Sequence, residues 1–515
     1  MLENKILQQT PGVNLDDRLR SVPGFSLFRR SSSLVSHPTT QGVSLRGIGA
    51  SGTSRTLVLI DGVPANDPFG GWVYWTLFAP EEMERVEISR GASTSVFGDR
   101  AMGGAIALFT REPQRLRWNA GYLGGNQNTH DASAGISHVF SRFGVSGQWR
   151  GYTTEGYFIT PEPRRGSVDR RSAVAFTTGE ARADYLGTTN RFFLKASVLA
   201  EDRQNGTAVQ TNSTGMGSIS GHYSGQWNKD TVSVVAFHSR EEFRSAFSAI
   251  AANRNTETLS FRQSVPSEAV GGAGLWRHGA SQWNLLAGAD AFRVEGTSID
   301  SLAPTGKRIG GGTQFQHGVF AQGDATIGPA KFFAGLRHHF TGQDSTFLSP
   351  SAGVVLGRKR VRARGSVYRS FRAPTLNELF REFRQGNTST QANPTLRPET
   401  LFGAEVGLDF IGESTRARFT FYRNSLTDLI TNVTLSTTPA LIVRRRDNAA
   451  SALNRGAEFE ATQQFGYFRG EIGYLFADSR FGTGERVPQI ARHQGSALLV
   501  YDRNGTLVTA GVRSF

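Results

Sequence analysis

Val361 to Phe371 reads VRARGSVYRSF, and its period of two decides the fold. Val361, Ala363, Gly365 and Val367 fall on one face, and Arg362, Arg364, Ser366, Tyr368 and Ser370 on the other. The same alternation sets Ala417, Phe419 and Phe421 against Arg416, Arg418, Thr420 and Tyr422, and Ile472, Tyr474 and Phe476 against Arg469, Glu471 and Gly473. Units of roughly 8 to 15 residues built this way, each closed by Gly, Asn, Asp or Ser, recur after Pro113. At about 3.3 Å per residue they can cross a hydrocarbon layer at a tilt, whereas the strands of a soluble sandwich average about 5 to 6 residues. A propeller would repeat a blade signature about every 40 residues, and none is present. The reading is an all-β transmembrane fold, a large antiparallel β-barrel with about 19 or 20 candidate strands between Arg115 and Phe515.

Composition agrees. Apolar residues make up 38% of the 515 positions, with 60 Gly and 36 Phe, too few aliphatics for a helical membrane protein and too many aromatics for disorder. No run approaches the ~18 apolar residues of a spanning helix. The chain has no Cys, which excludes zinc–thiolate sites, iron–sulfur clusters, disulfides and thiol nucleophiles, and suits passage through an oxidising periplasm. The net charge of +14, carried mostly by Arg, makes anionic partners plausible. That charge is spread along the chain, with tight clusters at Arg444–Arg446 and Arg358–Arg364, so solvated strand ends or channel lining outrank nucleic-acid binding.

A barrel of that size has a lumen too wide for its own side chains to fill. Residues 1–113 have a different grammar: a helical start around Asp16 to Val22, strand-like runs at Thr56–Ile60 and Arg85–Ser89, and Gly, Ser and Asp clusters between them. This is a compact α+β module, expected to plug residues 114–515. Its glycines are not a phosphate cradle, because GxxxxGK[ST] is absent and no GxGxxG follows a strand in a βαβ unit. Gly91, Gly98, Gly103 and Gly104 suit tight turns with positive φ.

The motifs LDDRLRSVPGFSLF, VSLRGIG, LVLIDGVPANDPFGG and ERVEISRGASTSVFGDRAMGGAIALFT, followed by SFRAPTLNELF, NPTLRPET, NRGAEFE and RVPQIARHQ, resemble in order and spacing the TonB-dependent outer-membrane receptors, nearest to the vitamin B12 (cobalamin) and siderophore branch. The resemblance covers essentially the whole chain. It implies a monomer in the Gram-negative outer membrane, in contact with lipopolysaccharide, that imports a scarce, bulky nutrient such as cobalamin or a ferric siderophore. Binding would occur at the plug apex and external loops, with force supplied by the TonB energy-transducing complex. It implies neither catalytic residues, nor a cofactor, nor a resident metal. It further implies that Arg46 and Arg90 of the plug lock onto Glu405 and Glu458 of the wall. Ligand contacts would come from two apices, Arg30 to Thr40 with Arg30 and Ser31, and Ala65 to Trp75 with Asn66, Asp67, Phe69, Trp72, Tyr74 and Trp75. Trp72 and Trp75 could equally pack the plug against the wall. External loops are expected at Gly156–Arg171, Phe247–Ser264, Thr297–Gly312 and Arg381–Glu399.

Three expected features are not recognisable: a signal peptide, the box gripped by TonB, and several strands after VTAGVRSF. The expectation is therefore a chain truncated at both ends, about two or three strands short of the family's about 22. Two other classes compete with an importer. An outer-membrane hydrolase would need a nucleophile elbow, yet no GxSxG occurs, and alternation puts His338 and His339 on opposite faces. In a passive porin the first 113 residues would be a soluble appendage, and the plug motifs argue against that.

Overall fold

The computed structural model describes residues 1–28, 31–48, 53–343, 345–357 and 359–515. Short strands dominate the N-terminal module because Gly and Pro interrupt every apolar run. Leu2–Glu3, Met83–Arg90, Gly104–Thr110, Leu57–Ile60 and Val63–Pro64 form one five-stranded sheet in that order. The pairing of Leu57–Ile60 with Gly104–Thr110 is parallel, and the others are antiparallel. Helices Asn4–Gln9 and Leu15–Leu19 cover it, and Leu7, Leu19, Val58, Trp75, Phe78, Val86 and Ile106 close its core.

Around this module winds a sheet whose order contains 21 strands. Nineteen are long. The other two, Phe383–Gln385 and Thr388–Gln391, form a small hairpin within an external connection. Long neighbours pair antiparallel, and the ladders run unbroken from Leu116–Gly125 round to Thr506–Ser514. The ring order brings these two end strands together. Nineteen alternating strands make the first and last co-directional, so the barrel closes between parallel neighbours, and both strands are largely exposed.

One end of the barrel has turns of two to four residues, such as Ser141–Arg142, Asn228–Lys229 and Gly466–Tyr467, and is the periplasmic end. Exposed Phe140, Phe143, Trp227, Trp283 and Tyr467 form an aromatic girdle there. Toward the other end the strands outrun the membrane. Glu257–Gly279 has 23 residues and Ile442–Phe465 has 24, roughly 75 to 80 Å of chain against an apolar band of about 25 Å. This corrects two loop expectations. Within Phe247–Ser264 only 251–256 is loop, and within Thr297–Gly312 only 303–306. Ladder hydrogen bonds need no apolar outer face, so pairing continues above the lipid.

Candidate functional site

Arg46 sits where the short strand Val43–Ser44 ends, at φ 55, followed by Gly47 at φ 65. Two consecutive left-handed residues reverse the chain and aim the guanidinium at the wall, at a conformational cost for a non-glycine residue. The wall holds that turn. Asn454 Nδ2 and the Tyr422 hydroxyl donate to the Arg46 carbonyl at 2.9 and 3.2 Å, and Ser479 Oγ donates to the Gly47 carbonyl at 2.8 Å.

Arg46 Nη1 pairs with Glu405 Oε2, and Nη2 lies 3.0 Å from Glu458 Oε2. Arg90, at the end of Met83–Arg90, reaches the same Glu458 oxygen at 3.3 Å and Glu460 Oε2 at 2.5 Å. The structure therefore brings Arg46, Arg90, Glu405 and Glu458 together and adds Glu460. Glu460 was legible in NRGAEFE, since i and i+2 share a strand face. Burial opposes the charge on both arginines, but Glu458 with Glu405 for Arg46, and Glu458 with Glu460 for Arg90, outweigh it and hold both above the ordinary guanidinium value. Gly91, at φ 86, lets Arg90 approach: a Cβ there would stand 2.9 Å from the Tyr368 hydroxyl and 3.2 Å from Arg46 Nη1. Gly98 and Gly104 also take positive φ, but Gly103 does not. Its constraint is the Arg55 carbonyl, 3.0 Å from where a Cβ would be.

Further contacts escaped sequence reasoning, one between plug and wall and one within the wall beside it. Arg55 forks onto Glu399 at 2.8 and 2.7 Å, and Arg372 bridges Glu399 and Glu378 at 2.8 Å each. On the far side the signs are exchanged. Asp61, in the turn after Leu57–Ile60, accepts from Thr110 N at 2.9 Å and from the wall's Lys195 Nζ at 2.8 Å, and Lys195 also meets Glu180 at 2.9 Å. Burial raises the Asp61 carboxyl, but Lys195 outweighs it and leaves the carboxyl below its ordinary value. Asp61 lies in the conspicuous IDG turn; its partner, 134 residues on, has no local signal.

The expected second apex is not an open surface. Asn66 staples its own loop, accepting from Val58 N at 2.8 Å and donating to the Thr56 and Gly71 carbonyls. Asp67 accepts from Gly70 N, and burial holds it above the usual carboxylate range. Trp75 belongs to the plug core, edge-on to Phe25. Phe69, Trp72 and Tyr74 are buried against the wall: Phe69 beside Phe243 and Leu376, Trp72 edge-on to Phe243, and Tyr74 donating to Glu241 at 2.7 Å. Of the two readings of Trp72 and Trp75, packing is the one the structure realises, for Trp72 against the wall and for Trp75 inside the plug. Ser31 is half-buried and shares a 2.6 Å hydrogen bond with Ser36. Arg30 lies outside the described residues. The enclosed space between plug and wall lined by Val63, Ala65, Gln148, Met216 and Phe237 holds about 80 Å³, far short of the several hundred a bulky ligand needs.

Toward the extracellular end the wall carries an aromatic and cationic cluster. Phe247 and Phe261 stack at 4.5 Å, with Phe383 edge-on to both. Arg381 lies over Phe383 at 4.6 Å and Arg308 over Phe261 at 5.5 Å. Arg308 is neutralised by Asp300 at 2.5 Å. Arg381, by contrast, has buried Nε and Nη2 atoms without a partner among the described residues. Burial, reinforced by Arg446 and Arg308 against the opposing pull of Asp300, brings Arg381 down to about 10.

Residues 2–105 match the TonB-dependent Receptor Plug Domain, and residues 89–514 match the TonB dependent receptor-like, beta-barrel family. The chain belongs to the TonB-dependent receptors. It is 25% identical over 450 residues to the iron-regulated outer membrane virulence protein of Vibrio cholerae, covering 82% of this chain and 64% of that one. It is 24% identical over 496 residues to the vitamin B12 transporter BtuB of Vibrio vulnificus, covering 90% and 72%. The siderophore receptor PirA of Acinetobacter baumannii shares the fold, with a TM-score of 0.79 at 15% identity over 98% of this chain and 84% of that one. By name the Vibrio vulnificus relative is a transporter and the Acinetobacter baumannii protein a receptor, neither an enzyme, and the TonB-dependent receptors are barrels of the Gram-negative outer membrane.

Proposed function

We propose that this TonB-dependent receptor takes up an anionic metal chelate of the ferric-siderophore class. In this reading residues 1–113 are the plug and 114–515 the barrel, one chain forms the unit, and the TonB complex supplies the force. The arginine and glutamate groups on opposite sides of the plug are the contacts that must part. The observation that carries the choice of ligand is Arg381: a guanidinium with two buried nitrogens unpartnered among the described residues, above a phenylalanine cluster, suits an anionic aromatic chelate that displaces its cover. Cobalamin has less use for that charge. Among the relatives, names that refer to iron, enterobactin or hemin stand beside those that refer to vitamin B12. Quenching of intrinsic fluorescence by ferric enterobactin, hemin and cobalamin tests the reading. Ferric enterobactin is expected to bind most tightly, and Arg381→Gln to weaken it by about tenfold, the scale of one charge-assisted hydrogen bond. Preferred binding of cobalamin, or no effect of Arg381→Gln, contradicts it.

A further inference from the structure

The arginine anchor and the lysine contact leave one pair of plug and wall carboxyls unused. Asp67 of the plug and Glu241 of the wall strand Asp230–Ile250 are 1% and 4% exposed, and they meet carboxyl to carboxyl across the boundary. Both accept from neutral donors: Asp67 Oδ1 from Gly70 N, and Glu241 Oε1 from the Tyr74 hydroxyl at 2.7 Å. Glu241 Oε2 is buried, with no N–H or hydroxyl donor among the described residues.

The cations around the pair are committed elsewhere. From the neighbouring wall strand Arg203 forks onto Glu201 at 2.5 and 2.9 Å, and Thr76 donates to that same carboxylate. Within the plug, Arg100 gives Nη1 to the Asp67 backbone carbonyl at 3.3 Å, and its Nε lies 3.8 Å from Asp99, with Arg372 and Glu378 of the wall beyond it. His37 lies edge-on to Phe243, with Nε2 3.4 Å from Ser245 Oγ. Two carboxylates in contact, out of water and without a cation between them, do not stay ionised together; one proton held between them turns repulsion into a hydrogen bond.

We infer that Asp67 and Glu241 share one proton while the plug is seated, forming a latch between plug and wall that loosens when the proton leaves. When the loop that carries Asp67 lifts off, each carboxyl meets water and ionises near its ordinary value of about 4. The seated state therefore holds one proton more than the lifted state. The latch is complete below about pH 4 and is lost as pH rises toward the raised value of the pair, with opening favoured about tenfold per pH unit on the way. Protons have a path to it. Enclosed spaces of about 20 and 80 Å³ share Gln148 and Glu180; the first begins at Glu82 and Arg117 near the periplasmic rim, and the second ends at Pro68 and Ser239 beside the pair. A water molecule needs about 10–15 Å³. The inference is independent of what the receptor imports.

Amide exchange of Ala65–Trp75 in the full chain, corrected for the intrinsic exchange rate and followed from pH 5 to pH 8, tests it. In wild type the opening equilibrium should rise with pH, by about tenfold per unit below the value of the pair. Asp67→Asn with Glu241→Gln keeps a hydrogen-bonded pair of the same shape without the proton; it should abolish the slope, and His37→Gln should preserve it. If the double variant does not fold, as judged by heat-modifiable gel mobility, Glu241→Gln alone is read. It should hold the loop more closed than wild type at pH 8, where a merely structural defect would loosen it. A flat wild-type profile, a slope that survives the folded double variant or disappears in His37→Gln, or a Glu241→Gln loop no more closed than wild type at pH 8 would overturn the inference.

Discussion

On the side facing Glu399–Ile411 and Ile442–Phe465 the plug supplies the cations and the wall the carboxylates; on the side facing Asp169–Leu186 and Asn190–Thr207 the signs are exchanged. Both contacts are buried, yet their chemistry differs. Arg46 and Arg90 cannot shed a proton at any working pH, so their glutamates are indispensable while the plug is seated. Asp61 and Glu180 can be neutralised by taking up a proton, and Lys195 is a single point charge without a fork. The arginine side is the stiffer anchor, and the lysine side the one that releases with less loss.

The largest effect is expected from Glu458→Ala, which leaves Arg46 with Glu405 alone and Arg90 with Glu460 alone. Seating of the plug should weaken by about 3–5 kcal/mol, the scale of a broken buried pair, read as faster amide exchange around Val43–Ile48. Exchange at the wild-type rate would put the anchor elsewhere. Next comes Lys195→Ala, about 1–3 kcal/mol at pH 8, with a dependence on pH. Lys195 keeps Asp61 below its ordinary value in wild type, a contribution present above about pH 4 and lost as pH falls through the depressed value. Without Lys195, burial raises Asp61 instead, so the deficit should shrink between pH 8 and pH 5. A deficit independent of pH breaks the contrast between the two sides. Smallest is Glu460→Gln: its carboxylate is 28% exposed, and a solvent-screened pair is worth about 1 kcal/mol or less. A loss as large as that of Glu458→Ala would make the anchor a three-carboxylate unit.

The barrel was legible because lipid enforces a period of two, and Arg46, Arg90, Glu405 and Glu458 because each sits in a short motif that fixes its place. The Asp61–Lys195 contact was not legible, since it depends on how the plug is rotated inside the barrel, which no local pattern records. Strand extensions around Phe247 and Thr297 looked like loops because above the membrane neither face need be apolar. Trp72 and Trp75 were ambiguous, and Phe69 and Tyr74 were read as ligand contacts, for a related reason: the residues that suit a ligand apex also suit packing against a wall, and only burial separates the two.

Single-channel conductance of the full chain in planar bilayers tests most directly the claim that ionic anchors hold a closed plug. Wild type should be closed, and Glu458→Ala at equal inserted amount should show channel openings. Steady conductance by wild type, or a Glu458→Ala barrel as closed as wild type, would contradict the account.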